Sequence, residues 1–315
     1  MGKHSIIFFL STIAALVAGA NAKGQGAVIR LDPALDDIVS PDLKVEVLAD
    51  SSESNTREGP VWIRDGGFLL YSVLFEKINK WNPADGTVST FLPNMLPNAI
   101  TVDRQGRIVY CMFSVTGQIV RLEKDGRRTV LASEYEGKPL QGPDDLVYKS
   151  DGTLYFSAKG INTARNPDTI PTLFMLKDGK LQPLTTPATL ELPNGLAFSP
   201  DEKYLYTTES NKRLRRFDVQ PDDTITNGKV FIDMSSVQAD GAPDGMKVDE
   251  KGNVYSPGPA GLWIISPQGK HLGTIIIPGR PVNLAFGEVD GKTLFVTGRP
   301  GLYRITGLKI PGIHP

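Results

Sequence analysis

Asn194-Gly-Leu-Ala-Phe198 leads through the turn residues Asp201-Glu202 into a β-prone run, Lys203 to Thr208. A polar side chain, a small residue, a short apolar stretch, a turn and a second apolar run follow in that order. The order returns along the chain. Glu58-Gly-Pro-Val-Trp62 precedes Phe68 to Val73, Asn98-Ala-Ile-Thr-Val102 precedes Arg107 to Phe113, and Asp144-Asp-Leu-Val-Tyr148 precedes Thr153 to Ser157. Asp244-Gly-Met-Lys-Val248 precedes Asn253 to Ser256, and Val282-Asn-Leu-Ala-Phe286 precedes Thr293 to Thr297. The third residues (Pro60, Ile100, Leu146, Leu196, Met246, Leu284) are 40, 46, 50, 50 and 38 apart. Further short runs with strand chemistry follow each copy, such as Lys77 to Trp81, Gln118 to Leu122 and Gly261 to Ile265. Four strands in 40 to 50 residues, repeated, describe the blade of a β-propeller.

Six copies predict an all-β, six-bladed β-propeller with four-stranded blades over residues 43–306. The last copy runs out of chain after Gly301-Leu-Tyr-Arg-Ile305, while Leu43 to Leu48 has no blade of its own. The N-terminal strand is therefore expected to pair into the last blade, closing the ring and hiding two open edges. Residues 307–315 are left as a C-terminal tail and 23–42 as an N-terminal extension. Residues 1–22 read as a signal peptide: Lys3, an apolar run from Ile6 to Val17, then the small-x-small site Ala20-Asn-Ala22. The run falls short of the ~20 residues of a membrane span. A secreted or periplasmic protein, free of the membrane after signal removal, is expected.

Composition narrows the chemistry. The chain has 315 residues, 40% hydrophobic, with 34 basic and 35 acidic side chains and a net charge of −1. That balance excludes disorder and nucleic-acid binding by bulk charge. One cysteine, Cys111, and three histidines, His4, His271 and His314, leave no thiolate- or imidazole-rich metal site and no ready triad. A lone cysteine within an apolar run is expected to be buried.

The informative residue is the first of each copy: Glu58, Asn98, Asp144, Asn194, Asp244 and Val282. The innermost strand of each blade lines the central channel, so equivalent residues form a ring at one end of it. Carboxylates crowded there repel one another, and a divalent cation resolves the repulsion. All donors are oxygens, which favours Ca²⁺, then Mg²⁺ or Mn²⁺, with Zn²⁺ less natural by ligand type. Asn, Asp and Gly also serve turns before strands, but Glu58 has no such role.

These stretches resemble the gluconolactonase, or senescence-marker-protein-30 (regucalcin), family, nearest to its bacterial sugar-lactonase-like members. The resemblance rests on Glu58-Gly-Pro-Val-Trp62, Leu192-Pro-Asn-Gly-Leu-Ala-Phe198, Ala242-Pro-Asp-Gly-Met-Lys-Val-Asp249 and Asn283-Leu-Ala-Phe-Gly287, and spans residues 43–306. It implies a metal-dependent hydrolase of a lactone, with one divalent ion held by Glu58, Asn194 and Asp244. Asp144 stands where the family has an Asn near metal and substrate. Met112 and Phe113 stand where sugar lactonases often carry Glu-His, and Phe156-Ser-Ala-Lys-Gly160 replaces a Thr-Asp-Pro-Pro-Tyr-Gly stretch. With these departures the small-molecule substrate is expected to be a sugar lactone or a more hydrophobic lactone or ester.

In the mechanism expected from this set, the cation polarises the carbonyl. Asp244, and after it Asp144, acts as the base, and Asp144, Asn98, Met112 and Phe113 face substrate. The competing reading is a non-catalytic ligand- or protein-binding propeller with a structural metal. Oligomeric state is not encoded in these motifs. The stretch Ala158 to Pro171 is expected as a loop or lid at the channel mouth, and Glu209 as a solvated side chain.

Overall fold

The turn between the first two strands of a blade has one recurring construction. Asp103, Lys149, Ser199 and Asp249 each accept through their carbonyl oxygen the N–H of the residue three further on: Gly106, Gly152, Glu202 and Gly252. All four donor residues lie at positive φ, which suits glycine and strains Glu202. In the computed structural model, which describes residues 27–49, 56–161, 171–184 and 190–313, this turn delivers antiparallel hairpins whose inner strands pack side by side around an axis.

The sheets number six of four or five strands, with a small separate hairpin, Glu134–Tyr135 with Lys138–Pro139. The inner strands of blades 1 to 6 are Arg57–Ile63, Pro97–Val102, Pro143–Tyr148, Pro193–Phe198, Lys247–Val248 and Arg280–Gly287. Each contacts the next, and the sixth contacts the first, so the ring is closed. The six-bladed propeller read from the repeats is thus borne out.

Closure uses the N-terminal strand, as expected from Leu43 to Leu48. Val39–Ala49 pairs antiparallel with Leu302–Leu308 as the outer strand of blade 6, with Val45 opposite Ile305 and Val47 opposite Tyr303. The segment before it, assigned to an extension by the sequence reading, adds to the ring too. Val28–Arg30 forms a fifth strand on the outer edge of blade 5, beside His271–Ile275. A 3₁₀ turn, Pro33–Asp37, then carries the chain across, capped by Asp32 and burying Leu35. At the other end Gly312 bridges to Asp249, and Ile313 donates its N–H to Val248. Two blade edges are thereby covered rather than left as templates for pairing.

Apolar clusters fill the spaces between blades, not the channel. One, between blades 5 and 6, includes Leu35, Leu43, Tyr255, Leu284, Leu294 and Ile305. Cys111 is fully buried in another, between blades 2 and 3, as expected for an unpaired thiol. Blades 3 and 4 are also joined by charge: fully buried Asp223 meets Lys149 at 2.5 Å and also Lys177. Glu209, expected in solvent, is instead buried. It accepts from the N–H of Glu191 at 3.0 Å and pairs with Arg215 at 3.3 Å, because its strand ends beneath the loop entering blade 4.

Candidate active site at the channel mouth

The residues singled out from the repeat sit where the inner strands break step. In blades 1 to 4 the pairing register slips between Glu58 and Val61, Pro97 and Ile100, Pro143 and Leu146, and Pro193 and Leu196. Such β-bulges re-aim side chains that regular pleating would send to the sheet face. They explain why Glu58, Asn98, Asp144 and Asn194 come together. Asp244 lies just ahead of the short inner strand of blade 5.

Tight spacing between neighbouring inner strands requires the small residues that follow. A Cβ on Gly195 would lie 2.1 Å from the Asp244 carbonyl oxygen, and one on Gly59, at φ +42°, would lie 2.4 Å from the Cα of Ala99. The glycines of Glu-Gly-Pro and Pro-Asn-Gly thus let each blade seat against the next residue of the ring. Thr208 locks one such seam. Its Oγ1 accepts from the N–H of Gly195 and donates to the carbonyl of Asp244, both at 2.8 Å.

Glu58, Asn98 and Asp144 are buried, whereas Asn194 and Asp244 remain partly open. Asn98 Nδ2 donates to Asp144 Oδ1 at 2.9 Å. The Asn194 side chain hydrogen-bonds Asp244. Glu58 Oε2 accepts from the N–H of Gly59 at 3.2 Å and from Asn283 Nδ2 at 3.4 Å. Burial, and then the negative charges of Asp244 and Asp144, hold the Glu58 carboxyl well above its usual range. Burial, with Asp144 and Asp145 adding to it against the pull of Lys159, pushes Asp244 up to about 7. The three carboxylates therefore act on one another, as the ring argument required.

Four residues of this site carry no mark in the repeat reading. Asn283, not Val282, supplies the sixth place: Val282 is buried in the bulge between Pro281 and Asn283, and the polar neighbour is turned toward Glu58. Asp145, beside Asp144, is buried in the wall of the channel, and its Oδ1 accepts from the N–H of Leu146 at 2.8 Å. Lys247 lies within the fields of Asp145 and Glu58, yet burial lowers the pKa of its ammonium. Lys159 forms an ion pair with Asp144 Oδ2. Burial alone would lower its pKa, but the charges of Asp144, Asp244 and Glu58 outweigh that and raise it. Asp145 and Asn283 were adjacent to the marked positions, and one residue of register would have found them. Lys159 ends a second strand, where the repeat gave no reason to look.

Phe113 is brought to the mouth, with its ring 5.8 Å from that of Phe75 and 6.0 Å from the Lys159 ammonium. Met112 is not. It packs on the apolar cluster of Val61, Leu70 and Tyr110 between blades 1 and 2, as alternation along a strand demands. Of the loop or lid expected over Ala158 to Pro171, residues 162–170 lie outside the described residues.

The donors fit a hard cation. Glu58 and Asp244 offer carboxylates and Asn194 an amide oxygen, all without sulfur or imidazole, and the anionic forms are disfavoured as they stand. Asn98 Oδ1 finds no hydrogen-bond partner among the described residues. Among those residues no group of three or more acids, histidines or cysteines forms a ready cage, so an amide has to complete the set.

Residues 56–299 match the family model described as the SMP-30/gluconolactonase/LRE-like region. The chain belongs to this family. Among its relatives is a gluconolactonase of Zymomonas mobilis, 32% identical, the match covering 90% of this chain and 87% of that one. A lactonase named drp35, of Staphylococcus epidermidis, is 30% identical over 76% of this chain and 73% of its own. Among solved structures, a gluconolactonase of Xanthomonas campestris superposes with a TM-score of 0.78 at 30% identity, covering 90% of this chain and 94% of the other. A calcium-binding regucalcin of Agrobacterium tumefaciens, 19% identical, shares the fold with a TM-score of 0.71, covering 85% of this chain and 95% of its own. This family member is thus an enzyme of the lactonase kind.

Proposed function

We propose that the chain hydrolyses a lactone bearing an apolar substituent, at a divalent cation held by Glu58, Asn194 and Asp244. The observation that carries this reading is the meeting of Glu58, Asp144 and Asp244 at one buried end of the channel in a chain of this family. The bound cation, Ca²⁺ by preference, supplies the charge that polarises the lactone carbonyl. Asp244 takes the proton of the attacking water, a role that a bound cation beside it would support by keeping the carboxylate ionised. Asp144 is clamped by Asn98 on one oxygen and Lys159 on the other, which fixes it toward substrate. The four carboxylates Glu58, Asp144, Asp145 and Asp244 face the two lysines Lys159 and Lys247, and a divalent ion would bring the mouth close to neutral, which suits a neutral substrate.

The apolar preference rests on the rim. Phe75 is 51% and Leu192 43% exposed, and both hold a positive φ that bulky side chains disfavour. Phe75 faces Phe113, and Leu192 lies two residues before Asn194. Export under the signal peptide of residues 1–22, which lie outside the described residues, is part of the same proposal.

A panel of sugar and alkyl lactones, assayed with and without EDTA, tests the reading. Turnover lost on chelation and regained with Ca²⁺ supports it. Metal binding without turnover of any lactone or ester favours the binding-protein alternative. Glu58→Gln is expected to lose both metal and activity; retention of both would displace the site.

A further inference from the structure

Lys159 is a side chain the family motifs do not call for, and its placement is specific. It follows the second strand of blade 3, Leu154–Ala158, and its backbone N–H donates to the carbonyl of Gly142 at 2.9 Å. The ammonium pairs with Asp144 Oδ2, whose other oxygen is held by Asn98. The ring of Phe113 stands 6.0 Å away. Among the described residues its ammonium pairs with Asp144. About a third of the side chain, 32%, is open, while Asp144 is 4% open. The anchor is fixed and the cation it holds faces the mouth.

The position on the ring matters as well. Glu58, Asn194 and Asp244 come from blades 1, 4 and 5, whereas Asn98, Asp144 and Lys159 come from blades 2 and 3, the arc between blades 1 and 4. An ester carbon in the mouth has two oxygens, and the site offers a positive group on either side.

We propose that Lys159 is a catalytic residue that donates to the leaving ring oxygen of the lactone. This rests on the lactonase reading above. Water adds to the carbonyl carbon and passes one proton to the Asp244 carboxylate. The bond from that carbon to the ring oxygen breaks, its electron pair stays on the ring oxygen, and that oxygen takes a proton from Lys159. The hydroxy acid departs, and one proton moves through solvent from Asp244 to Lys159, restoring both. Asp144 takes no part in the proton transfer and holds the donor in place. A carboxylate at position 144, unneeded where the family uses an amide, thereby gains a purpose.

The test exploits the leaving group. An aliphatic lactone expels a strongly basic alkoxide, which needs a proton; 4-nitrophenyl acetate expels a weakly basic phenolate, which does not. Lys159→Met is expected to lower kcat/KM for γ-decalactone roughly 100-fold or more, the usual scale of acid catalysis, and for 4-nitrophenyl acetate less than about 5-fold. Lys159→Arg should lose lactone activity much as Lys159→Met does, since a guanidinium keeps the charge but does not give up its proton; activity above about a tenth of wild type would reduce Lys159 to an electrostatic role and overturn proton donation. Calorimetric titration of chelator-stripped protein with Ca²⁺ should show binding by Lys159→Met at least as tight as wild type, since a like charge has been removed. Lys159→Gln, judged by the same ratio of lactone to aryl ester, replaces the Met variant if that one does not fold. Equal losses on both substrates, or no loss on either, overturn the assignment while leaving the lactonase reading intact. Wild-type protein without activity on any lactone or ester overturns the reading itself.

Discussion

Replacing Asp244 by Asn should make the metal-free protein more stable while abolishing its function. Burial raises the Asp244 carboxyl from its usual 3.8 to about 7. Between those two values the folded chain binds more protons than the unfolded one, so stability is full below pH 3.8 and falls as pH rises toward 7. At about 1.4 kcal/mol for each pH unit, the ionised carboxylate costs up to about 4 kcal/mol above pH 7. The neighbouring Glu58 and Asp144 share in that penalty, so a gain of about 2–4 kcal/mol is expected for Asp244→Asn at pH 8. For a chain of this size that is roughly 5–10 °C in Tm. The assay is thermal and urea unfolding of wild type and variant in EDTA, at pH 8 and pH 4.5. The variant should lead at pH 8 and lose most of the lead at pH 4.5, where wild-type Asp244 is protonated. Saturating Ca²⁺ should then raise the wild type by about 3 kcal/mol at a hundred times its Kd and leave the variant unmoved. If Asp244→Asn is no more stable than wild type at pH 8 in chelator, the carboxylates do not strain one another and the argument for a cation between them fails.

Other positions give sharper structural checks. Gly195→Ala puts a methyl group 2.1 Å from the Asp244 carbonyl oxygen, so it should lower stability by about 2–3 kcal/mol and weaken Ca²⁺ binding together, seen in unfolding and in calorimetry. Asp223→Asn removes the carboxylate that Lys149 and Lys177 share between blades 3 and 4. With both lysines partly exposed, the loss should be about 1–3 kcal/mol in urea unfolding, with lactonase kinetics unchanged. His271 stacks on Trp263 at 3.5 Å, and burial pulls its pKa down from 6.5 to about 4. The unfolded chain binds the extra proton in that window, so stability falls as pH drops from 6.5 to 4, by up to about 3 kcal/mol. His271→Gln should flatten the dependence, and an unchanged pH profile would place the ring in solvent.

The fold was legible because six copies of a weak pattern reinforce one another, and because an unfinished last blade and an orphan first strand match. The site was legible to the extent that it obeys the repeat. Glu58, Asn98, Asp144, Asn194 and Asp244 occupy one repeat position, and the bulges turn that position inward. What escaped obeys other rules. Val282 gave way to Asn283 because the bulge of blade 6, between Pro281 and Asn283, turns a different residue inward. Met112 was misplaced because strand alternation separates it from Phe113. Lys159 follows a second strand, inside the Phe156-Ser-Ala-Lys-Gly160 stretch that departs from the family, but that departure signals only a change in the pocket's lining. Val28–Arg30 is three residues long, too short to carry a period of its own.

The pairing of Val39–Ala49 with Leu302–Leu308 joins nearly the two ends of the polypeptide. Glu58 and Asn283 meet across the same joint. Leu302–Leu308 must therefore be synthesised before this clasp can fasten, and until Asn283 is in place Glu58 lacks that partner. Blades 2 to 4 can organise early, but the carboxylates are forced together only at the final step. An ion held as proposed by Glu58, Asn194 and Asp244 would reward the clasp being shut, and maturation would then depend on the mineral content wherever the chain finishes folding.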